Sequence, residues 1–200
     1  LQIIFATKNG NIRRNQLSDF TNIRQNGKIA MKLNENDELV SVIPCSDKDN
    51  ILLATKLGKA IRFDVNDVRV FVGRDSSGVR GIRLKPNDTV VSMSLLPDVE
   101  KRFVLSVTEN GFGKRTPVED YRMTNRGGQG VANIECSVRN GPVVASYVTS
   151  EENQIMLVTN SGKLIRIRVH GGEGDSIRVA GRKTQGVRLF DVDEGEKVVS

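Results

Sequence analysis

The sequence has little of what metal, redox and base-stacking sites are usually built from. Its 200 residues contain two cysteines, one histidine, two tyrosines, seven phenylalanines and no tryptophan. Cys45, Cys136 and His170 are too few ligands for a zinc site, and a disulfide scaffold needs more bridges than two cysteines can form. The scarcity of these residues predicts two small buried thiols in a reducing compartment, and no metal or cofactor in this chain.

Long apolar runs and targeting signals are also missing. No stretch approaches the roughly 18 apolar residues that span a bilayer, so we expect no membrane role. No signal-peptide pattern is present, and the first residue is Leu1 rather than methionine. The chain begins and ends in strand-like runs, and we interpret it as a piece of a longer, cytoplasmic protein.

The chain carries a net charge of +6 and has a pI near 9.5. A net positive charge of this size favours binding to an anionic partner. Charge alone does not identify that partner, because many basic proteins bind nothing anionic. The placement of the cations along the chain therefore decides the interpretation.

Four similar units follow one another along the chain, and a period near 50 residues is typical of propellers and related arrays. Each unit opens with an apolar run that contains a threonine followed by a glycine three positions later. These repeat threonines are 48, 53 and 51 residues apart: Thr7, Thr55, Thr108 and Thr159. A second marker, the mid-unit glycine, recurs as Gly27, Gly78, Gly130 and Gly186. The predicted units are approximately 1–48, 49–100, 101–150 and 151–200.

Each unit predicts four short strands. The opening run is apolar at almost every position, as in an inner strand that is covered on both faces. Asn9-Gly10 and Asn110-Gly111 predict two-residue type I′ hairpin turns into a second strand. A polar segment, here called the connector, leads from the second strand to the mid-unit glycine, which opens a third strand, here called the glycine strand. The prediction is an all-β, propeller-like fold of four four-stranded blades, arranged as an open arc or a ring.

Positive charge recurs at equivalent positions. An arginine stands seven residues after every repeat threonine: Arg14, Arg62, Arg115 and Arg166. Further cations flank these arginines or the mid-unit glycines: Arg13, Arg24, Lys28, Lys59, Arg74, Arg80, Lys114, Arg126, Lys163, Arg168, Arg182, Lys183 and Arg188. Equivalent places on successive blades would form one basic stripe, which predicts a binding site for nucleic-acid phosphates. The alternative is that the cations only solvate hairpin faces or pair with acids such as Asp19 and Glu119. Glu135 and Asp191 interrupt the stripe.

The residues favour double-stranded DNA over single strands. Single-strand binders stack bases on exposed aromatic side chains, and only 4% of this chain is aromatic. No segment predicts a recognition helix for the major groove, so we expect backbone contacts without sequence-specific readout. A curved basic surface favours bent DNA, and bending 20–30 bp by 40–90° costs on the order of 1–6 kcal/mol.

Several stretches resemble the C-terminal β-pinwheel domain of the A subunit of bacterial DNA gyrase, a type IIA topoisomerase. They are 27–33 (GKIAMKL), 76–84 (SSGVRGIRL), 110–116 (NGFGKRT) and 181–187 (GRKTQGV). The resemblance runs through essentially the whole chain. It implies blades that exchange strands and a basic perimeter that wraps DNA for ATP-dependent negative supercoiling. It also implies that the partners are the gyrase B subunit and the N-terminal region of the A subunit, in an A2B2 holoenzyme with ATP and Mg2+ bound in other domains.

One departure from that family concerns its Gln-Arg-Arg-Gly-Gly-Lys-Gly box, which this chain lacks. The box would belong to a blade upstream of Leu1, and residues 125–130 (NRGGQG) resemble a degenerate copy. Without the box, the chain should bend DNA less. The alternatives are the C-terminal domain of the A subunit of topoisomerase IV and a protein-interaction propeller. No catalytic constellation is present, so we expect no enzymatic activity and assign Tyr121 and Tyr147 structural roles.

Overall fold

The computed structural model describes residues 1–22, 25–96, 102–171 and 176–200. These residues form β-strands and three short 3-10 helices, Leu17–Phe20, Val65–Asp67 and Val118–Asp120, without any α-helix. The strands are β1 Gln2–Thr7, β2 Asn11–Gln16, β3 Leu39–Cys45, β4 Asn50–Thr55, β5 Lys59–Asp64, β6 Val70–Phe71, β7 Val79–Arg80, β8 Val90–Leu96, β9 Phe103–Thr108, β10 Phe112–Pro117, β11 Val131–Ala132, β12 Val143–Thr149, β13 Gln154–Val158, β14 Leu164–Arg168 and β15 Val187–Arg188. The all-β class is confirmed. No described segment forms a helix of the length and apolarity that crossing a membrane requires.

The first two strands of every unit form an antiparallel hairpin, and the repeat threonine closes its turn. All four threonines are at most 2% exposed. In three units the threonine Oγ1 accepts the backbone N–H four residues ahead at 3.1–3.2 Å, from Asn11, Lys59 and Lys163. Thr108 Oγ1 instead donates to the carbonyl oxygen of Phe112 at 3.1 Å. The threonine therefore recurs because each turn uses its hydroxyl group.

The predicted type I′ turns are wrong. Gly10 and Gly111 have φ values of +87° and +81°, but neither Asn9 nor Asn110 is left-handed. The N–H of Gly10 donates to the carbonyl oxygen of Thr7 at 3.0 Å, so the glycine is the last residue of the turn rather than its second central residue. A longer loop of this kind needs only one residue in the left-handed region.

Units two, three and four each lend their glycine strand to the sheet of the preceding unit. The strand β7 pairs antiparallel with β2, β11 with β5, and β15 with β10. The register is the same at all three junctions: Ile12↔Val79, Ala60↔Val131 and Gly113↔Val187. Together with β6, which pairs parallel with β2, this exchange gives sheets of five, four and four strands, and the fourth sheet is the two-stranded hairpin β13–β14. No pairing among the described residues joins the fourth unit to the first, so the described sheets follow one another in an arc without a closing strand pair.

The mid-unit glycines are required where strands are exchanged. Gly78, Gly130 and Gly186 have φ values between +71° and +82°. A Cβ atom at any of them would lie 2.3–2.4 Å from a carbonyl oxygen of the preceding unit. Only glycine allows both the left-handed backbone and this close approach. Gly27 also has a positive φ, but a Cβ there would meet nothing within 4 Å.

In the described part of the chain the hydrophobic core consists of three clusters, and each fills the space between two successive sheets. The first contains Ile4, Ala6 and Ile12 of unit one with Ile51, Leu53, Ile61 and Phe63 of unit two. The second contains Leu52, Ala54 and Ala60 of unit two with Val104, Val118 and Tyr121 of unit three. The third contains Leu105 and Val107 of unit three with Leu157, Ile177 and Val198 of unit four. Each inner sheet is therefore covered on both faces.

Candidate nucleic-acid interface

Four of the predicted DNA contacts lie inside the protein. Arg13, Arg14, Lys114 and Arg115 are only 1%, 5%, 0% and 4% exposed. They stand on the second strand of the hairpins in units one and three, and each of those sheets has a neighbour. Side chains this deeply buried cannot reach DNA phosphates, so their assignment to DNA binding is wrong.

The arginine seven residues after the repeat threonine joins each unit to the next. Arg14 Nη1 contacts Asn66 Oδ1 of unit two at 3.3 Å and Asp47 Oδ1 at 3.2 Å. Arg62, which is half-buried, donates from Nη1 to the carbonyl oxygens of Val118 and Tyr121 of unit three, both at 3.3 Å. These arginines recur because every joint between units needs one.

Arg115 makes the third joint of this type. Its Nε donates to the carbonyl oxygen of Ile177 of unit four at 2.8 Å. Its Nη1 lies 3.4 Å from Glu151 Oε1, and its guanidinium carbon lies 4.7 Å from the ring centre of Phe103. Arg166 holds the same position in unit four but is exposed, because no following unit packs against it among the described residues.

Arg13 and Lys114 fix the connector of the next unit. Arg13 donates to the carbonyl oxygens of Gly73 and Ser76. Lys114 Nζ donates to carbonyl oxygens in the connector of unit four, those of Gly181 at 2.5 Å, Arg182 at 2.9 Å and Thr184 at 3.1 Å. Burial, with a smaller contribution from the charge of Arg182, lowers the pKa of Lys114 to about 8. Among the described residues this ammonium group therefore holds a connector in place through carbonyl and hydroxyl oxygens.

The arginine four residues before the mid-unit glycine makes one hydrogen bond that recurs at all three junctions. It donates from Nη1 to the carbonyl oxygen of the residue two positions after the mid-unit glycine of the preceding unit. The pairs are Arg74 with Ile29, Arg126 with Arg80, and Arg182 with Ala132. Each connector therefore lies directly against the glycine strand of the unit before it.

Backbone hydrogen bonds continue this contact. The N–H of Gly127 donates to the carbonyl oxygen of Gly81 at 2.8 Å. The N–H of Arg83 donates to the carbonyl oxygen of Gly128, also at 2.8 Å. At the next junction the N–H of Glu135 donates to the carbonyl oxygen of Thr184 at 3.1 Å. Connectors and glycine strands thus form one continuous row along the arc, which we name the connector track. Its cations are Lys28, Lys32, Arg74, Arg80, Arg83, Arg126, Arg182, Lys183 and Arg188.

The track cations are accessible to different degrees. Arg80, Lys183 and Arg188 are exposed, as are Lys32 and Arg83. Lys28, Arg74, Arg126 and Arg182 are half-buried. Acidic side chains weaken the track toward unit four, because Glu135 is exposed and Asp191 pairs with Arg188. Positive charge is therefore most continuous over units one and two.

The remaining predicted cations lie apart from the track or outside the described residues. Lys163 Nζ pairs with Glu196 Oε2 at 2.9 Å and Asp193 Oδ2 at 3.2 Å, and both hydrogen bonds raise the pKa of the lysine. Lys59 is half-buried, and Arg168 is exposed on β14 together with Arg166. Arg24 lies outside the described residues.

One cation near the track could not be found from the sequence. Arg139 is exposed, and its Nη2 donates to the carbonyl oxygen of Gly186 at 3.2 Å. The guanidinium carbons of Arg139 and Arg188 lie 4.3 and 5.3 Å from the ring centre of Phe112. The only sequence signal at Arg139 is the turn residues that follow it, and these gave no reason to place it beside the mid-unit glycine of the next unit.

The groups that could suggest catalysis occupy structural or solvated positions. Tyr121 is buried, and its hydroxyl donates to Asn133 Oδ1 at 2.6 Å. Burial raises the pKa of Tyr121 and raises that of Cys45 to about 11. His170 is exposed, with Nδ1 at 2.9 Å from Ser176 Oγ. In the described part of the chain, no three histidine, cysteine, aspartate or glutamate side chains are grouped as metal ligands.

Comparison with known proteins matches this chain to DNA gyrase by a family model and by individual relatives. The family model described as the DNA gyrase C-terminal domain, beta-propeller, matches residues 2–46, 49–97, 102–141 and 153–200. The A subunit of DNA gyrase from Rickettsia bellii is 42% identical in a match of length 246, gaps included, that covers 100% of this chain and 27% of that protein. The chain thus spans about a quarter of the length of the curated relatives it matches.

Two solved structures cover the whole chain. The C-terminal domain of DNA topoisomerase IV superposes with a TM-score of 0.90 at 25% identity, over 100% of this chain and 60% of that one. The DNA gyrase A C-terminal domain superposes with a TM-score of 0.85 at 29% identity, over 100% of this chain and 64% of that one.

Proposed function

The chain belongs to the family of DNA gyrase C-terminal β-propeller domains, and on this premise we propose that it binds duplex DNA along the connector track without reading the base sequence. The observation that carries the proposal is the hydrogen bond that joins each connector arginine to the preceding glycine strand, because it makes the track continuous across the junctions. Phosphates repeat regularly along DNA, and a continuous row of cations can neutralise several of them together.

Duplex DNA fits this surface better than a single strand does. Among the described residues Tyr147 is the one exposed aromatic side chain, so the track offers no series of stacking platforms. No α-helix is present among them to enter the major groove. Contacts to phosphates and recognition of DNA shape remain, and a track that follows an arc favours a bent duplex.

The role in the longer protein follows from the family. We propose that the chain wraps DNA for an ATP-dependent type IIA topoisomerase that introduces negative supercoils in the bacterial cytoplasm. Its partners there are the gyrase B subunit and the N-terminal region of the A subunit, in an A2B2 assembly that binds ATP and Mg2+ in other domains. The chain itself contributes no catalytic group in this scheme. Topoisomerase IV is the second candidate for the longer protein, favoured by the superposition on that enzyme's C-terminal domain.

Salt dependence tests the proposal directly. The track carries nine cations, and one phosphate neutralised by each would give a log–log slope of affinity against salt near −8. The measurement is fluorescence anisotropy of a labelled duplex of mixed sequence at several salt concentrations. A protein-interaction propeller would give no anisotropy change with DNA at any of them.

A matched pair of variants locates the contact. Replacing Arg80, Arg83 and Lys183 with alanine should weaken binding to every duplex and reduce the slope by about 2.7, or about 0.9 for each lost contact. Replacing Lys48, Lys56 and Lys197 with alanine removes the same charge from exposed positions off the track. Equal losses in the two triple variants would show that net charge, rather than the track, determines affinity.

A further inference from the structure

Three exposed arginines recur at one place in the fold and belong neither to the joints between units nor to the connector track. Each lies near the start of a connector, directly before a residue that bridges in parallel to the second strand of the preceding unit. They are Arg69, Arg122 and Arg178, and we name them the arginine row. The three positions are structurally equivalent, because the residues that follow them pair in the same way: Val70 with Arg14, Met123 with Arg62, and Val179 with Arg115.

The backbone on both sides of each row arginine is held in place. The residues directly before them are 0%, 1% and 3% exposed and lie in core clusters shared by two units: Val68, Tyr121 and Ile177. On the other side, the N–H of Thr124 donates to the carbonyl oxygen of Arg62 at 2.9 Å. The N–H of Ala180 donates in the same way to Arg115 at 3.0 Å. A guanidinium group on such a fixed backbone loses less freedom when it binds a ligand.

Structural contacts do not explain why these arginines recur. In units one to three, the arginine seven residues after the repeat threonine joins two units, and the arginine four residues before the mid-unit glycine fixes a connector. By contrast, the side chains of Arg122 and Arg178 make no hydrogen bond or ion pair among the described residues. Arg69 lies over the ring of Phe71, with its guanidinium carbon 4.0 Å from the ring centre, a contact that uses no hydrogen-bond donor. The row therefore presents unused donors to solvent at three equivalent places.

The arginine row runs beside the connector track. On the outer edge of β2, Arg80 of the track lies opposite Asn11. The residue after Arg69 lies opposite Arg14 on the same edge. Arg69 is therefore two residues further along β2 than Arg80, which is about 7 Å. The same offset separates the row from the glycine strand at the other two junctions.

On the premise of the proposed function, that the track binds duplex DNA, we propose that the arginine row binds phosphates of the other strand of the same duplex, across the minor groove. The two strands border a minor groove about 6 Å wide and a major groove about 12 Å wide. A separation of about 7 Å between the row and the track fits the narrower groove. The planar guanidinium group can bind two phosphate oxygens together, which suits contact with the DNA backbone rather than with bases.

Contacts to both strands give the surface a preference that one row of cations does not provide. A single row can neutralise the phosphates of a duplex or of a single strand. Two rows at a fixed separation match only a pair of backbones. The arginine row thus selects duplex DNA and turns its minor groove toward the arc at each junction.

Alanine at all three positions tests whether the row binds DNA. The side chains are exposed, so Arg69→Ala, Arg122→Ala and Arg178→Ala together should leave the circular dichroism spectrum and the urea midpoint unchanged. With twelve cations in contact, the log–log slope of affinity against salt for the wild type is near −11, and the triple substitution should return it to the value near −8 that the track alone gives.

The matched control for charge replaces Lys48, Lys56 and Lys197 with alanine, at exposed positions away from the row and the track. This variant removes the same charge and should keep the wild-type slope. Equal losses of slope in the two triple variants would show that net charge determines affinity, and would overturn the row.

A duplex with one neutral strand tests the contact across the groove. Methylphosphonate linkages remove the charge of one strand and leave the other strand intact. The track carries nine cations and the row three, so the charged strand occupies the track and the neutral strand faces the row. On this duplex the triple substitution in the row should leave the slope unchanged, although on the ordinary duplex it reduces the slope by about 2.7.

The outcomes separate this proposal from the one on which it rests. A wild-type chain that binds neither duplex overturns the proposed function, and the arginine row with it. A chain that binds the ordinary duplex and loses no slope in the row variant keeps the track and overturns the row. An equal loss of slope on the two duplexes places the row and the track on the same strand, which overturns the contact across the minor groove.

Discussion

The Nη1 atom of Arg182 donates a hydrogen bond of 2.9 Å to the carbonyl oxygen of Ala132, one unit earlier in the chain. The same contact joins Arg126 to Arg80 and Arg74 to Ile29. The arginine thus has two roles, since it fixes the connector to the preceding glycine strand and contributes charge beside it. The cations of the track are therefore held in position by the strand exchange that builds the arc.

Arg115 should contribute to stability rather than to DNA affinity. Arg115→Ala removes a buried hydrogen bond to Ile177 and should lower the free energy of unfolding by about 2–3 kcal/mol. Arg166→Ala, at the equivalent exposed position, should change it by no more than about 0.5 kcal/mol. Urea denaturation measures both values. Similar losses in the two variants would contradict the role of Arg115 as a joint between units.

Lys114 should make stability rise with pH above about 8. Its folded-state pKa, near 8, lies below the ordinary value of 10.5, so between these values the unfolded chain binds more protons than the folded chain. The penalty for burying the charged form is present in full below pH 8 and is relieved as pH rises toward 10.5. The difference in free energy of unfolding between the wild type and Lys114→Met, measured by urea denaturation at several pH values, should change in that window. A constant difference would contradict this prediction.

Two glycines with similar backbone angles should differ in their tolerance of alanine. Gly27 and Gly130 have φ values of +79° and +71°, but a Cβ at Gly130 would lie 2.4 Å from the carbonyl oxygen of Ala60. Gly27→Ala should cost about 1 kcal/mol from the left-handed backbone alone. Gly130→Ala should cost about 3 kcal/mol or more, because the exchanged strand must shift as well. Thermal and urea unfolding of both variants provide the comparison, and equal costs would argue against a tight junction at Gly130.

Wrapping of DNA should change plasmid topology, and only weakly for this chain. A nicked plasmid is bound by the protein, ligated and then freed of protein, and its topoisomers are separated on a gel. We expect a small shift in linking number that is absent when Arg80, Arg83 and Lys183 are replaced with alanine. An unchanged distribution at saturating protein would mean that the chain holds DNA without wrapping it.

The four units and their all-β character could be predicted from sequence because turns and strand exchange impose strict residue choices. Thr55 recurs to close a turn, and Gly130 recurs because a strand passes within contact distance of a carbonyl oxygen. Both constraints act on single residue types, so they remain visible in one sequence. Asn9-Gly10 predicts the wrong turn type because a dipeptide does not reveal how many residues the loop contains.

The sequence alone does not distinguish buried structural cations from exposed ones that can bind DNA, because both kinds recur from unit to unit. Arg115 recurs at a joint between sheets, whereas Arg80 belongs to an exposed track. The first strands of units two and three are covered on both faces, as the sequence predicts, whereas Met156 on the first strand of unit four is 59% exposed. The second strands of units one and three are buried as well, although their charged residues predict exposure. Since neighbouring sheets pack face to face, Lys114 and Arg115 point in opposite directions and are both buried.

Strand exchange also means that a cut in the backbone need not separate the folded protein into two parts. The strands β6 and β7 both belong to unit two, yet both pair with β2 of unit one. The residues between β6 and β7 form part of the connector of unit two. A protease cut between β6 and β7 would divide the backbone, yet each fragment would still hold part of the other's sheet. The cleaved molecule should therefore migrate as one particle until a denaturant separates its two pieces.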